Sequence, residues 1–182
     1  MKSPRALAAA VAFLAALPIA ALCEAAASGS GEIAIHLMLA LGAALMARAV
    51  FDFRIPRWIA WTGFASAAFL AVTFLLQGVS TWTKNDSLTH FAYQVLGQRL
   101  ESWAGDLFFA WCIALLLLDS RGWTRIVGAA AMALAVGMRG YAHYLTAQGT
   151  SLSEEAPALQ VLALLPFVWL VLEARKTACR SA

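Results

Sequence analysis

An all-α bundle of six transmembrane helices, with both termini in the cytoplasm, is the fold this sequence predicts. Three observations carry it. Hydrophobic residues make up 62% of the 182 positions and charged ones only 13%, and the apolar residues gather into six stretches. The basic residues between those stretches alternate sides. Connections are short apart from two segments on one side, and no second domain or low-complexity tract is visible, so residues 1–182 read as a single transmembrane domain.

The spans run from Ala6 to Leu22, Ile33 to Phe51, Trp58 to Leu76, Gly105 to Leu118, Ile126 to His143 and Ala156 to Leu172. A crossing takes about 20 residues for a hydrocarbon core about 30 Å thick, so little of the chain remains outside. The first span has the basic lead (Lys2, Arg5), Ala/Leu core and small residues at Ala25 to Ala27 that also describe a secretory signal peptide. Its apolar run is long for a signal core, and Pro18 is tolerable in a membrane helix, so a retained span is expected.

Orientation follows from the positive charges. A cytoplasmic N-terminus puts ten of the 13 basic residues inside and leaves Lys84, Arg99 and Arg139 outside, in line with the positive-inside rule. Acids favour the outer side: Glu24, Glu32, Asp86, Glu101, Asp106, Glu154 and Glu155. The net charge of +3 is thus the sum of a positive inner rim and a negative outer one, which suits topology and anionic headgroups and gives no ground for a nucleic-acid partner. The plasma (inner) membrane is the expected location and the lipid bilayer the first partner. Cys23, Cys112 and Cys179 fall at different depths, so no disulfide framework is expected.

Between the third and fourth spans, Leu88, Phe91, Ala92, Val95, Leu96, Leu100 and Trp103 recur at helical spacing. That pattern predicts an amphipathic outer helix over Ser87 to Trp103, capped by Asp86 or Ser87. An interfacial anchor is the plain reading; a lid over an outward-opening cavity is the sharper one. A weak recurrence also shows. Asp52-Phe53-Arg54 with Trp58 and Gly63 is matched by Asp119-Ser120-Arg121 with Trp123 and Gly128, and the last span ends in Glu173-Ala174-Arg175. Charged stops and interfacial tryptophans explain this simply, three parallel helix hairpins being the alternative. Gly42, Gly63, Gly128 and Gly137 suit close helix contacts.

The fourth span holds the most informative conflict. Its uninterrupted apolar run, Leu107 to Leu118, is too short to cross alone and draws Asp106 inward. At about 1.5 Å per residue, Asp106 lies about 20 Å above the cytoplasmic boundary and Arg139 of the next span about 21 Å, so an acid and a base meet at one height. Gln160 (about 20 Å), Thr73 (about 22 Å), His36 (about 24 Å) and His143 (about 27 Å) converge on the same layer. Intramembrane charges usually face the bundle interior and have a partner, so an Asp106–Arg139 contact is expected, with His143 on the same helical face.

The layer reads as an outer-leaflet polar pocket of a non-enzymatic protein that binds, senses or moves a small solute or lipid, or that serves as an accessory subunit to a membrane-protein partner. No cofactor or metal is called for. One alternative is a b-type haem between His36 and His143; another is an enzyme using His143 or His90 as a base beside an acid such as Glu101. The chain has no His-Glu-x-x-His, Gly-x-Ser-x-Gly, phosphate-loop or Cys-x-x-Cys motif. Plain structural readings stand beside each site residue: an ion pair for Asp106 and Arg139, interfacial hydrogen bonding for the histidines, interhelical bonding for Gln160 and Thr73.

Overall fold

The computed structural model describes residues 3–150 and 162–176, without the side chains of 98–102 and 174–176. Among these residues the chain is helical, with no strand. Helix α1 (Pro4–Ala26) starts at Ser3, whose hydroxyl accepts the Ala6 N–H at 3.0 Å, with Pro4 at the first helical position where no donor is lost. Pro18 lies inside α1 without ending it. The next helix, α2 (Ser30–Ala49), has no cap of its own at Gly29, which is left-handed at φ 82°. The Glu24 carboxylate reaches over from α1 and accepts the Gly29 and Gly31 N–H groups at 2.9 Å, so one helix end serves as the cap of the other.

A 3-10 turn (Val50–Asp52) leads to α3 (Arg57–Thr83), which runs almost two turns beyond the Leu76 end drawn from sequence. Gln77 and Ser80 do not end it because both point to its buried face. It stops at Lys84, which takes a left-handed conformation (φ 53°) and donates its N–H to the Ser80 carbonyl. One α-helical turn (α4, Asp86–Thr89) then passes into π-wound backbone over His90–Glu101 and on into α5 (Ser102–Leu118). The outer segment is therefore helical, with two corrections. Its cap is Asn85, whose side chain accepts the Leu88 N–H at 3.0 Å, rather than Asp86 or Ser87. Its winding is also wider than the 3.6-residue pattern assumes; within it Ala92 is buried while Phe91 and Val95 face outward. The remaining helices are α6 (Trp123–Ala147) and α7 (Leu165–Lys176), the latter led in by a 3-10 turn at 162–164.

These helices form a ring. α1 packs on α2, α2 on α3, α3 on α5, α5 on α6, α6 on α7, and α7 returns to α1. Three of them, with bounds Pro4–Ala26, Ser30–Asp52 and Arg57–Thr83, are long and apolar enough to cross a membrane. Two more apolar helices, Trp103–Leu118 and Leu162–Glu173, are shorter, and α6 has the length at 25 residues without the same uniform apolarity.

Burial is distributed inside out relative to a water-soluble bundle. Alanines fill the interior (Ala6, Ala9, Ala10, Ala43, Ala67, Ala135), whereas Val11, Leu17, Leu41, Val72, Leu75 and Leu134 face outward. Helix α3 is the clearest case: Ser66, Thr73, Gln77 and Ser80 share one face and are all buried, while Trp58, Trp61 and Trp82 are exposed. Small residues inside let backbones approach, and polar side chains are turned inside rather than toward the surroundings, both of which suit helices surrounded by hydrocarbon. Ser66 Oγ donates to the Ala104 carbonyl at 2.8 Å and ties α3 to α5 in this way. Gly31 shows the closeness: a Cβ there would lie 2.8 Å from the Ala20 carbonyl oxygen of α1.

Candidate ligand-binding site

Helices α5 and α6 are joined by a turn at Gly122, whose φ of 66° and ψ of −148° only glycine adopts without strain. Because both helices leave the same turn and rise at the same rate per residue, side chains equally far from it meet at one height. Asp106 and Arg139 do so: Arg139 Nε donates to Asp106 Oδ1. The other carboxylate oxygen, Oδ2, lies 3.4 Å from His143 Nε2, one helical turn beyond Arg139 on the same face. A carboxylate is thus held between a guanidinium and an imidazole.

Two further contacts fix the guanidinium. It lies over the Phe109 ring, 5.8 Å from the centroid, and beside Gly105, where a Cβ would come within 2.8 Å of Nη2. Any larger residue at 105 would push the guanidinium aside, so Gly105 is part of how Arg139 is placed.

Inside the ring lies a cavity of about 380 Å³. Its wall takes residues from each of the six helices in the ring and Gly97 from the π-wound segment. Towards the α4 end it is bordered by Gly97, Gly105, Arg139 and Ala163; further along the helices come Ala43, Ala67, Leu70 and Phe108. Phe13 and Phe167 stack at 4.1 Å, and Phe167 stacks in turn with Phe108 at 6.0 Å, so an aromatic floor crosses from α1 through α7 to α5. The side chains of the wall are apolar except at Arg139. Asp106 and His143 do not border it, so of these three residues Arg139 alone does.

The other residues expected in the layer are placed differently. His36 Nδ1 lies 2.8 Å from the Glu32 carbonyl oxygen, and its ring meets Tyr93 edge-on at 5.8 Å, whereas His143 lies against Asp106. Tyr93 OH donates to Glu32 Oε1 at 3.0 Å and lies 3.1 Å from Thr81 Oγ1, which links the π-wound segment to α2 and α3. Thr73 is fully buried on α3, and its hydroxyl has no hydrogen-bond partner among the described residues, so the interhelical bond expected of it is not made. Gln160 lies outside the described residues. Gly42 and Gly63 and Gly128 make the close contacts expected of them, but Gly137 faces open space.

Sequence reasoning missed the cavity wall. Phe13, Phe108 and Phe167 are no more apolar than residues facing outward, so hydropathy gives no sign of their direction. Gly105, directly before a charged residue in an apolar helix, was the one available signal. No protein-family model, curated protein or solved structure matches this chain.

Proposed function

We propose that this chain is a six-span protein of the plasma (inner) membrane, with both termini cytoplasmic, that binds a small solute or lipid in the cavity its helices border and so carries, senses or moves it. The observation that carries this reading is a cavity bordered by all six helices of the ring with one cation in its wall. Ligand sites are commonly apolar enclosures of about 300–1,000 Å³ with a few placed polar groups, and this one fits that description. Six spans are supported by the ring itself: α5, α6 and α7 pack alongside three helices long enough to cross, and the π-wound segment extends α5 beyond its own short apolar run. The positive charges favour the N-in orientation.

Two measurements test it. In a background lacking Cys23, an Asn85→Cys variant reacts with an impermeant maleimide in intact cells, whereas Cys179 reacts only after lysis; the reverse pattern overturns the orientation. For the cavity, native mass spectrometry of purified protein is expected to show a small-molecule adduct that Ala67→Phe and Ala43→Phe, both filling the cavity, no longer retain. Equal adducts in all three proteins, or none in any, would remove the binding role.

A further inference from the structure

We infer that the groove at the turn from α2 into α3 binds one anionic phospholipid of the inner leaflet, its phosphate at Arg57 and Arg54 and its chains over Phe51 and Trp61. This is a second site, apart from the central cavity. It rests on the orientation proposed above only for the choice of leaflet.

A space of about 390 Å³ opens between the turn and the start of α3, walled by Phe51, Phe53, Ile55, Ala60 and Trp61, and Arg57 also lines it. Phe51 and Trp61 face outward rather than into the bundle, and their rings meet edge-on at 5.1 Å, with Phe64 a further 5.4 Å from Trp61. Arg57 is the first residue of α3 and Trp61 stands one turn on, so the backbone rises about 6 Å between them. That step matches the headgroup region, which is about 5–7 Å thick on each side of the hydrocarbon core. With Arg57 among the phosphates, the Phe51, Trp61 and Phe64 rings therefore lie where the acyl chains begin. The groove presents a cationic end and an aromatic end in the order in which a phospholipid presents its phosphate and its chains.

The sign of the charge selects the headgroup. Arg54 and Arg57 are exposed, and neither makes an ion pair with an acid among the described residues. Asp52, the nearest acid in the chain, is turned to α1: it accepts Ser3 Oγ at 2.6 Å and lies 3.8 Å from Arg5 Nη1. No acid stands in the first turn of α3. Two guanidinium groups gain charge-assisted hydrogen bonds from a lipid phosphate, and a headgroup with an ammonium of its own offsets part of that gain. The matching turn between α5 and α6, Asp119-Ser120-Arg121, has the same residue order and a different balance. There Asp119 and Glu173 are both buried, Ser120 Oγ donates to Glu173, and Arg121 is itself engaged.

The first arm of the test needs no variant. The full-length protein is placed in phosphatidylcholine nanodiscs with a minor share of phosphatidylglycerol carrying a diazirine on one acyl chain, and labelled residues are mapped by mass spectrometry. Labelling is expected at Phe51, Trp61 or Phe64; labelling confined to other helices overturns the site. Nanodiscs offer the lipid to both faces, so this outcome is separate from the orientation of the chain. In the second arm, native mass spectrometry in detergent follows retention of phosphatidylglycerol and of phosphatidylcholine with the same chains. The wild type is expected to retain the anionic lipid at concentrations at least about tenfold below the zwitterionic one. R54Q/R57Q should bring the two to parity, while R125Q, at the matching turn, should keep the preference. Equal retention of both lipids by the wild type overturns the anionic class, and loss of the preference in R125Q as complete as in R54Q/R57Q would assign it to the basic rim as a whole. Glycerol phosphate, the head without chains, should not displace the lipid; if it does so as readily as phosphatidylglycerol, the groove is a phosphate site and not a lipid one.

Discussion

The first three helices and the last three solve the same packing problem by different means. α1, α2 and α3 are long and uniformly apolar, and they approach closely because alanine and glycine occupy their contacts: a Cβ at Gly42 would lie 3.0 Å from the Phe13 ring, and one at Gly31 2.8 Å from a backbone oxygen. α5 and α7 are shorter, and they use large knobs. Trp111 of α5 is buried against Gly63 of α3, and Trp169 of α7 against Gly128 of α6, where an added Cβ would come within 2.4 Å and 2.5 Å of the indole. The half that carries Asp106, Arg139 and His143 is thus held by shape rather than by length. Trp58/Gly63 and Trp123/Gly128, which recur in the sequence, acquire a packing meaning here: each glycine receives a tryptophan from another helix of the ring. The acids ending α2 and α7 are handled alike, Ser3 Oγ donating to Asp52 at 2.6 Å and Ser120 Oγ to Glu173 at 3.0 Å.

The largest effect that would sharpen this contrast is at the knobs. Gly63→Ala and Gly128→Ala should each cost about 2–3 kcal/mol, because the methyl group must displace a buried indole ring, and denaturant unfolding in detergent micelles would read the loss. An unchanged midpoint for both would mean that the tryptophans do not set the spacing of α5 and α7.

A smaller effect tests whether the triad is a paired unit. R139Q alone should destabilise by about 1–2 kcal/mol, since Asp106 then keeps its charge without the guanidinium, and both side chains are partly exposed, which limits the cost. D106N/R139Q should be the more stable of the two variants, because removing both charges leaves neither stranded. A double variant less stable than R139Q would show that the pair contributes more than mutual neutralisation. The smallest effect has the opposite sign: Gly137 meets nothing within 4 Å, so Gly137→Ala should stabilise α6 by about 0.5–1 kcal/mol, measured in the same way.

Much of the fold was legible because it depends on local chemistry. Helices, their breaks and the all-α class follow from apolar stretches separated by Gly29, Pro56 and Gly122; the first five sequence-drawn spans fall within or close to the helices observed, and the start of the sixth, at Ala156, lies outside the described residues. The ends were less legible. α3 runs past Gln77 and Ser80 because these polar residues face the interior, which their identity does not reveal, and the outer segment departs from 3.6-residue winding.

Height along a helix was determined by the sequence alone. The rise per residue is a property of the backbone, so Asp106 and Arg139 could be placed at one level by counting from their shared turn, and they touch. Rotation about the helix axis was decided only by the tertiary structure. His36 and Thr73 share that level approximately, yet His36 turns to Tyr93 and Thr73 into the interior away from any partner among the described residues. The physical reason is the surroundings for which these helices are built: where both the interior and the exterior are apolar, a phenylalanine facing the cavity and a leucine facing outward have the same hydropathy, and only the packing of neighbouring helices decides which way each one points.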